Sequence, residues 1–395
     1  MVLRDNEQFI VTCPGNPNAE NIQMDFTVFW AMPPDPVTIL PAIKTLESMQ
    51  EVFFVDFIVP RGSELNVFCL FTHRLLIRAY PAVRMTTQVP SKPLTRVVVS
   101  GSTHGNEMSG VFLARHWIKD PSELTRSTFS ATAVIANPRA MEKCVRYTQQ
   151  DLNRSFKMDY LVALDSEEEP YEVKRAKELN KIYGPKGSPE AYDFMFDMHN
   201  TTSNMGACII VDSPQNSFAM HMANYIQTNY MQKCPIYVYK KGDEESYTID
   251  SICKNGVAME VGPQPQGVVR ADCLAQMRAL VRHGLDFIEK FNQGSAFPAF
   301  DIEAHTLISR EDYPRNADGE MSGIIHPKLQ DKDFLPLNPG DPIFQTLDGN
   351  EVVYEGDSTI YPAFINEAAY YEKKIAFAKM EKKVFSIPDI QLKLD

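Results

Sequence analysis

Between Arg96 and Gly294 the chain alternates short β-branched runs with stretches of helical period. This alternation restricts it to an α/β fold with a mostly parallel sheet flanked by helices. The valines of RVVVSG at 96–101, ending in glycine, read as a strand buried on both faces. Residues 108–118 follow with Met108, Val111, Phe112, Trp117 and Ile118 at helical spacing. Further strands are expected at 132–136, 194–198, 208–211, 236–239 and 257–261. Further helices are expected at 176–183, 218–230 and 273–291, the last closed by Gly294.

The texture changes on either side of this block. After Gly294 come short extended pieces with turn signals, NADG at 316–319, NPGDP at 338–342 and LDGN at 347–350. They predict a smaller β-rich domain at 295–395 that caps the α/β domain of 85–294. Residues 1–84 lack clean periodicity, and Pro33, Pro34, Pro36 and Pro41 break their best helical window.

Composition removes several classes of function. With 51 acidic against 39 basic residues the net charge is −12, a balance that phosphate backbones and anionic lipids repel, so no nucleic-acid partner is expected. No run of about twenty apolar residues exists, so no segment is expected to span a bilayer. The amino terminus carries Asp5 and Glu7 and no signal pattern, and the seven cysteines are scattered singly, which points to a reducing cytoplasm.

In open α/β sheets, ligands gather at the carboxyl ends of strands. GSTHGNE at 101–107 leaves one predicted strand and FDMHN at 196–200 closes another, bringing His104, Glu107 and His199 toward one point. Two imidazoles and a carboxylate with an open position form a common catalytic zinc set. HxxE spacing alone is weak, but its strand-end setting and the second strand-end histidine strengthen it. His116 lies nine residues beyond Glu107, about 180° around a helix, so it faces away. His221, His283, His305 and His326 have no carboxylate at ligand spacing and read as packing or surface histidines. Glu260 sits in VAMEV, ahead of the loop GPQPQG, where a carboxylate can take a proton from water and pass it to a leaving nitrogen. In DLNRSF at 151–156, Asn153 and Arg154 suit a substrate carboxylate, and Arg146 suits a developing oxyanion.

The stretches THGNEMSG, NPRAMEKCVRYTQQDLNRSF, DMHNTTSNMG, NGVAMEVGPQPQGVVRAD, IIHPKLQDKDF and FINEAAYYEKKIAFAK together closely resemble the aspartoacylase and aminoacylase-3 family, relatives of zinc carboxypeptidases. The resemblance implies one zinc per chain on His104, Glu107 and His199, with Glu260 as general base. It implies Arg146 for carbonyl polarisation, Asn153 and Arg154 for the substrate carboxylate, Asp151 in support of the site, and Tyr370 as a substrate contact from the second domain. A homo-oligomer, dimer or tetramer, and peripheral association with the apical membrane are implied by the family as well. The resemblance starts at Met85, so residues 1–84 are read as an added domain or a mispredicted upstream exon, the latter preferred.

Within the family, EESYTIDSICKNG and THGNEMSG look more like the aminoacylase-3 branch, the N-acyl-aromatic-L-amino acid amidohydrolases. Asp250 stands near where an aspartoacylase carries an arginine for the side-chain carboxylate of N-acetylaspartate, with Asp243, Glu244 and Glu245 close by. A second substrate carboxylate would meet like charge there. The expected activity is therefore deacylation of N-acyl aromatic amino acids and of N-acetylated cysteine S-conjugates (mercapturates). N-acetylaspartate hydrolysis, a peptide carboxypeptidase and a metal-free carboxylate-binding module are the alternatives.

Overall fold

The computed structural model of the protein describes residues 89–229, 234–239 and 245–393, with the backbone of four short strands before them. Asp243, Glu244 and most of residues 1–84 lie outside the described residues. The chain divides into two compact units, Met1–Arg84 and Met85–Asp395. In the first, β1 (Phe9–Val11) runs antiparallel to β2 (Ile22–Met24), and β3 (Phe54–Val59) runs parallel to β4 (Leu76–Pro81).

The second unit is built on one eight-stranded sheet. Its strands are β5 (Arg96–Gly101), β6 (Ser130–Ile135), β7 (Phe194–Asn200), β8 (Gly206–Val211), β9 (Ile236–Val238), β10 (Gly256–Gly262), β11 (Phe300–Glu311) and β15 (Phe377–Ile387). Their order is β6-β5-β7-β10-β8-β9-β11-β15, antiparallel only where β10 meets β8 and β11 meets β15. The mostly parallel α/β sheet read from the sequence is what forms.

Helices cover both faces. Val97 and Val99 pack on one side with Phe194, Phe196 and the helices α1 (Met108–Lys119), α5 (Ser217–Asn229) and α6 (Ala271–Asn292). Val98 and Met195 face the other side with Leu152, Ala176 and Leu179 of the stretch containing α2 (Pro138–Lys143), α3 (Met158–Val162) and α4 (Tyr171–Tyr183). Consecutive valines thus enter opposite cores, which is why the β5 run is continuously apolar. Along α6 the buried positions Cys273, Met277, Leu280, Leu285, Ile288 and Phe291 keep the helical period, and Gly294 at φ 78 ends it. On α1 the buried stripe is Val111, Ala114 and Trp117, whereas Phe112 and Ile118, read as part of the same helical spacing, are about half exposed. They fall outside the i, i+3 stripe that faces the sheet.

The C-terminal region is β-rich as expected. Its two long strands, β11 and β15, extend the central sheet. Only β12 (Gly323–Ile325), β13 (Pro342–Thr346) and β14 (Glu351–Val353) form a sheet of their own. Among the described residues, no helix is long and apolar enough to cross a membrane.

Candidate metal centre and active site

β5 and β7 are parallel neighbours, with Ser100 opposite Asp197, so the loop leaving β5 starts beside the end of β7. Gly101 and Gly110 let α1 press close behind that loop. A Cβ on Gly101 would sit 2.2 Å from the Gly110 carbonyl oxygen, a clash no side chain survives. Glu107, just ahead of α1, is thereby held over His199. His104 Nδ1 lies 2.6 Å from Glu107 Oε1, His199 Nδ1 lies 2.9 Å from Glu107 Oε2, and the two Nδ1 atoms are 3.1 Å apart. All three side chains are buried, and their ligand atoms can converge on one ion.

The outer contacts fix which nitrogens face inward. His104 Nε2 meets Asp151 Oδ1 at 3.0 Å, and His199 Nε2 meets Asp197 Oδ2 at 2.5 Å. Thr103 Oγ1 in turn donates to Asp197 Oδ1 at 2.5 Å. Each imidazole therefore points its Nε2 at a carboxylate and its Nδ1 toward the other two ligand candidates. Metal-ligating histidines are oriented in this way. The donor set, two imidazole nitrogens and one carboxylate, suits a divalent cation such as zinc. Burial works to raise the Glu107 carboxyl, but His104 and His199 outweigh it and hold it well below the usual range. Burial also opposes ionisation of Asp151, and His104 and Arg146 reverse that effect, keeping it charged.

Arg146 bridges this inner set, donating to Glu107 Oε1 at 3.1 Å and to Asp151 Oδ2 at 3.2 Å, while its buried Nε has no partner among the described residues. Asn153 and Arg154 lie on a single 3-10 turn capped by Asp151. Asn153 Oδ1 accepts the Ile249 amide at 2.9 Å, and the Arg154 guanidinium lies 4.6 Å from the Tyr247 ring centre. Glu260 stands in register with His199 on the neighbouring strand β10. Its carboxyl is pushed up to about 8, chiefly by burial, with Glu107 and Glu367 adding to the rise and His199 and Arg146 opposing it. Tyr370, on a 3-10 segment at Ala368–Lys373, completes the wall, and burial raises its phenol.

One cavity is lined by all three metal-ligand candidates together with Arg146, Asn153, Arg154, Glu260, Tyr370 and Asp250. Asp250 is pushed up to about 6 by burial, with Thr248 pulling the other way and Asp197 and Asp212 adding to the rise. Among the described residues the other histidines lie elsewhere: His116 is exposed, His221 hydrogen-bonds the Pro388 carbonyl at 2.7 Å, and His326 meets Glu351 at 3.0 Å.

Sequence reasoning missed Asp197 and Glu367. Asp197 had a signal, because two residues before His199 on a strand is the same face. Glu367 had none.

The sequence matches two family models. The succinylglutamate desuccinylase/aspartoacylase catalytic domain matches residues 93–288, and the AstE/AspA barrel-sandwich hybrid domain matches residues 300–382. A human N-acyl-aromatic-L-amino acid amidohydrolase (carboxylate-forming) is 54% identical over 301 residues, spanning 76% of this chain and 94% of the relative. A mouse aspartoacylase is 48% identical over 308 residues, spanning 78% of this chain and 99% of the relative. The crystal structure of murine aminoacylase 3 superimposes with a TM-score of 0.75 at 50% identity, covering 76% of this chain and all of that one.

Proposed function

The chain belongs to the succinylglutamate desuccinylase/aspartoacylase family, and from that premise we propose that it is a zinc-dependent hydrolase of N-acyl-L-amino acids, selective for N-acyl aromatic amino acids and N-acetylated cysteine S-conjugates. The observation that carries this reading is the convergence of His104 Nδ1, His199 Nδ1 and Glu107 beside Glu260, in a cavity whose side-chain wall includes Asp250. His104, Glu107 and His199 hold one zinc. When bound, zinc supplies Lewis-acid stabilisation of charge on the scissile carbonyl and increases the acidity of water.

The remaining work falls to the chain. Arg154 and Asn153 take the substrate's α-carboxylate, the former through its planar fork. This fixes the amide over Glu260. Glu260 removes the proton from the attacking water and returns it to the leaving nitrogen, and a carboxyl raised toward neutrality by burial is suited to both directions. Arg146 opposes the negative charge on the carbonyl oxygen, and Asp151 keeps that guanidinium in place. The Tyr370 hydroxyl, held neutral, donates a hydrogen bond to the substrate. Asp250 disfavours a substrate with a short anionic side chain. A homo-oligomer acting in the cytoplasm belongs to the same reading, on family grounds.

Steady-state hydrolysis of N-acetyltyrosine, S-benzyl-N-acetylcysteine and N-acetylaspartate by the zinc-loaded protein tests it. Turnover of the first two well above the third is expected. Absence of turnover for all three overturns it.

A further inference from the structure

The active-site cavity shares a wall with a second one. Tyr237, Tyr239, Tyr247, Leu307 and Arg310 line both, and the second extends to Glu381 and Lys383 on β15. Arg310 reaches this wall through an irregularity in β11. Leu307 pairs with Met380 and Ser309 with Lys379, so Ile308 is left without a partner in the ladder. Residues three apart on a regular strand face opposite sides. Here the extra residue brings Leu307 and Arg310 onto one face, across from Met380 and Ala378, which are themselves two apart on β15. Without the bulge an arginine at this position would point to the other side of the sheet. Bulges re-aim side chains in this way beside active sites.

Among the described residues, the charge so delivered is unspent. Glu311 is taken by Lys379 at 2.7 Å, Asp312 by Arg315 at 2.7 Å, Glu381 by Lys383 at 2.6 Å, and Glu245 by Lys186 at 2.8 Å. Among the described residues, Arg310 has no ion pair. A planar cation with five donors, on the same cavity wall as three tyrosines, matches a flat side chain whose far end is an anion.

Resting on the N-acyl amino acid reading, we infer that Arg310 selects substrates whose aryl or extended side chain ends in a carboxylate or sulfate. Polarity then reverses along the cavity. Asp250 repels an anion one carbon from the backbone, and Arg310 pairs with one at the end of a long side chain.

The test compares N-acetyl-4-carboxyphenylalanine and N-acetyltyrosine O-sulfate with N-acetylphenylalanine, in the zinc-loaded full chain and in R310Q. The ratio of kcat/KM, anionic over neutral, is expected to fall by about tenfold or more in R310Q, mainly through KM, with R310K intermediate because it keeps the charge and loses the fork. A ratio that stays within about twofold of the unmutated protein overturns the assignment of Arg310 alone. No hydrolysis of N-acetylphenylalanine by the unmutated protein overturns the underlying reading, and the inference with it.

Discussion

Glu367 accepts the backbone amide of Thr202 at 2.7 Å, tying the segment that carries Tyr370 to the turn that follows His199. The same carboxylate accepts the hydroxyls of Thr201 and Thr202 and caps its own 3-10 turn through the Ala369 amide at 3.0 Å. Glu367→Ala leaves these donors buried without an acceptor, at roughly 1–3 kcal/mol for each unsatisfied group. A lower unfolding midpoint and a raised KM are expected, with zinc content unchanged, because no metal-ligand candidate is touched. Thermal unfolding, metal analysis and steady-state kinetics on one preparation check all three.

Metal content separates the ligands from their supports. His199→Ala removes one of three protein donors and is expected to abolish both stable zinc binding and turnover. Asp197→Asn keeps all three donors but weakens the contact that orients His199, so zinc affinity is expected to fall about 10–100-fold. Competition with a chelator of known affinity reads both. Full activity in a zinc-free His199→Ala protein would contradict the metal centre.

Glu260→Gln preserves shape and removes the proton acceptor. The expected result is normal zinc content with kcat lowered by about 10²–10⁴-fold. Activity within a few-fold of the unmutated protein would move the general base elsewhere.

In the proposed reading, selectivity turns on Asp250. The unmutated protein is expected to favour N-acetyltyrosine over N-acetylaspartate in kcat/KM. Stranding a charge costs about 2–5 kcal/mol, or roughly thirty-fold to several-thousand-fold in rate. Asp250→Arg is expected to narrow that gap. Equal efficiency on the two substrates before mutation would remove Asp250 from the specificity argument and leave the metal chemistry untouched.

Asp333 supplies a pH dependence remote from the metal. Burial pushes its carboxyl up to about 7, against a backbone hydrogen bond from Ile365 at 3.0 Å that favours the charged form. Because the folded value lies above the unfolded one, its contribution is most favourable below about pH 4. It is lost as pH rises to about 7 and is constant beyond that, for a total on the order of 2–4 kcal/mol. Asp333→Asn keeps an acceptor for Ile365 and does not titrate. The stability of the variant relative to the unmutated protein is therefore expected to grow between pH 4 and 7. Urea midpoints measured across that window check the sign.

How much of this was legible in the sequence follows from where the information sits. The strand at Arg96–Gly101 and the helix ending at Gly294 rest on local periodicity, so they could be read directly. His104, Glu107 and His199 were legible because strand-end placement narrows where a metal can sit. Tyr370 was reached only through the family resemblance, since a 3-10 turn far along the chain carries no local pattern. The joining of β11 and β15 to the central sheet was hidden because turn signals mark where strands end and not which sheet they enter. Arg310 was hidden for a further reason: a bulge shifts side-chain parity, and alternation in the sequence alone points it the wrong way.

That β11 and β15 continue the sheet bearing His199 and Glu260 also bears on how the enzyme cycles. The two strands are zipped by eleven residue pairs, and β11 is joined to β9. Among the described residues no hinge separates β11 and β15 from the strands that carry His199 and Glu260, and swinging them aside would mean unzipping a ladder. Substrate entry and product exit are therefore expected to proceed without a swing of these two strands, which would belong to the slower timescales of domain closure. A protein of this build is expected to turn over inside a crystal lattice or a glassy gel at close to its rate in solution.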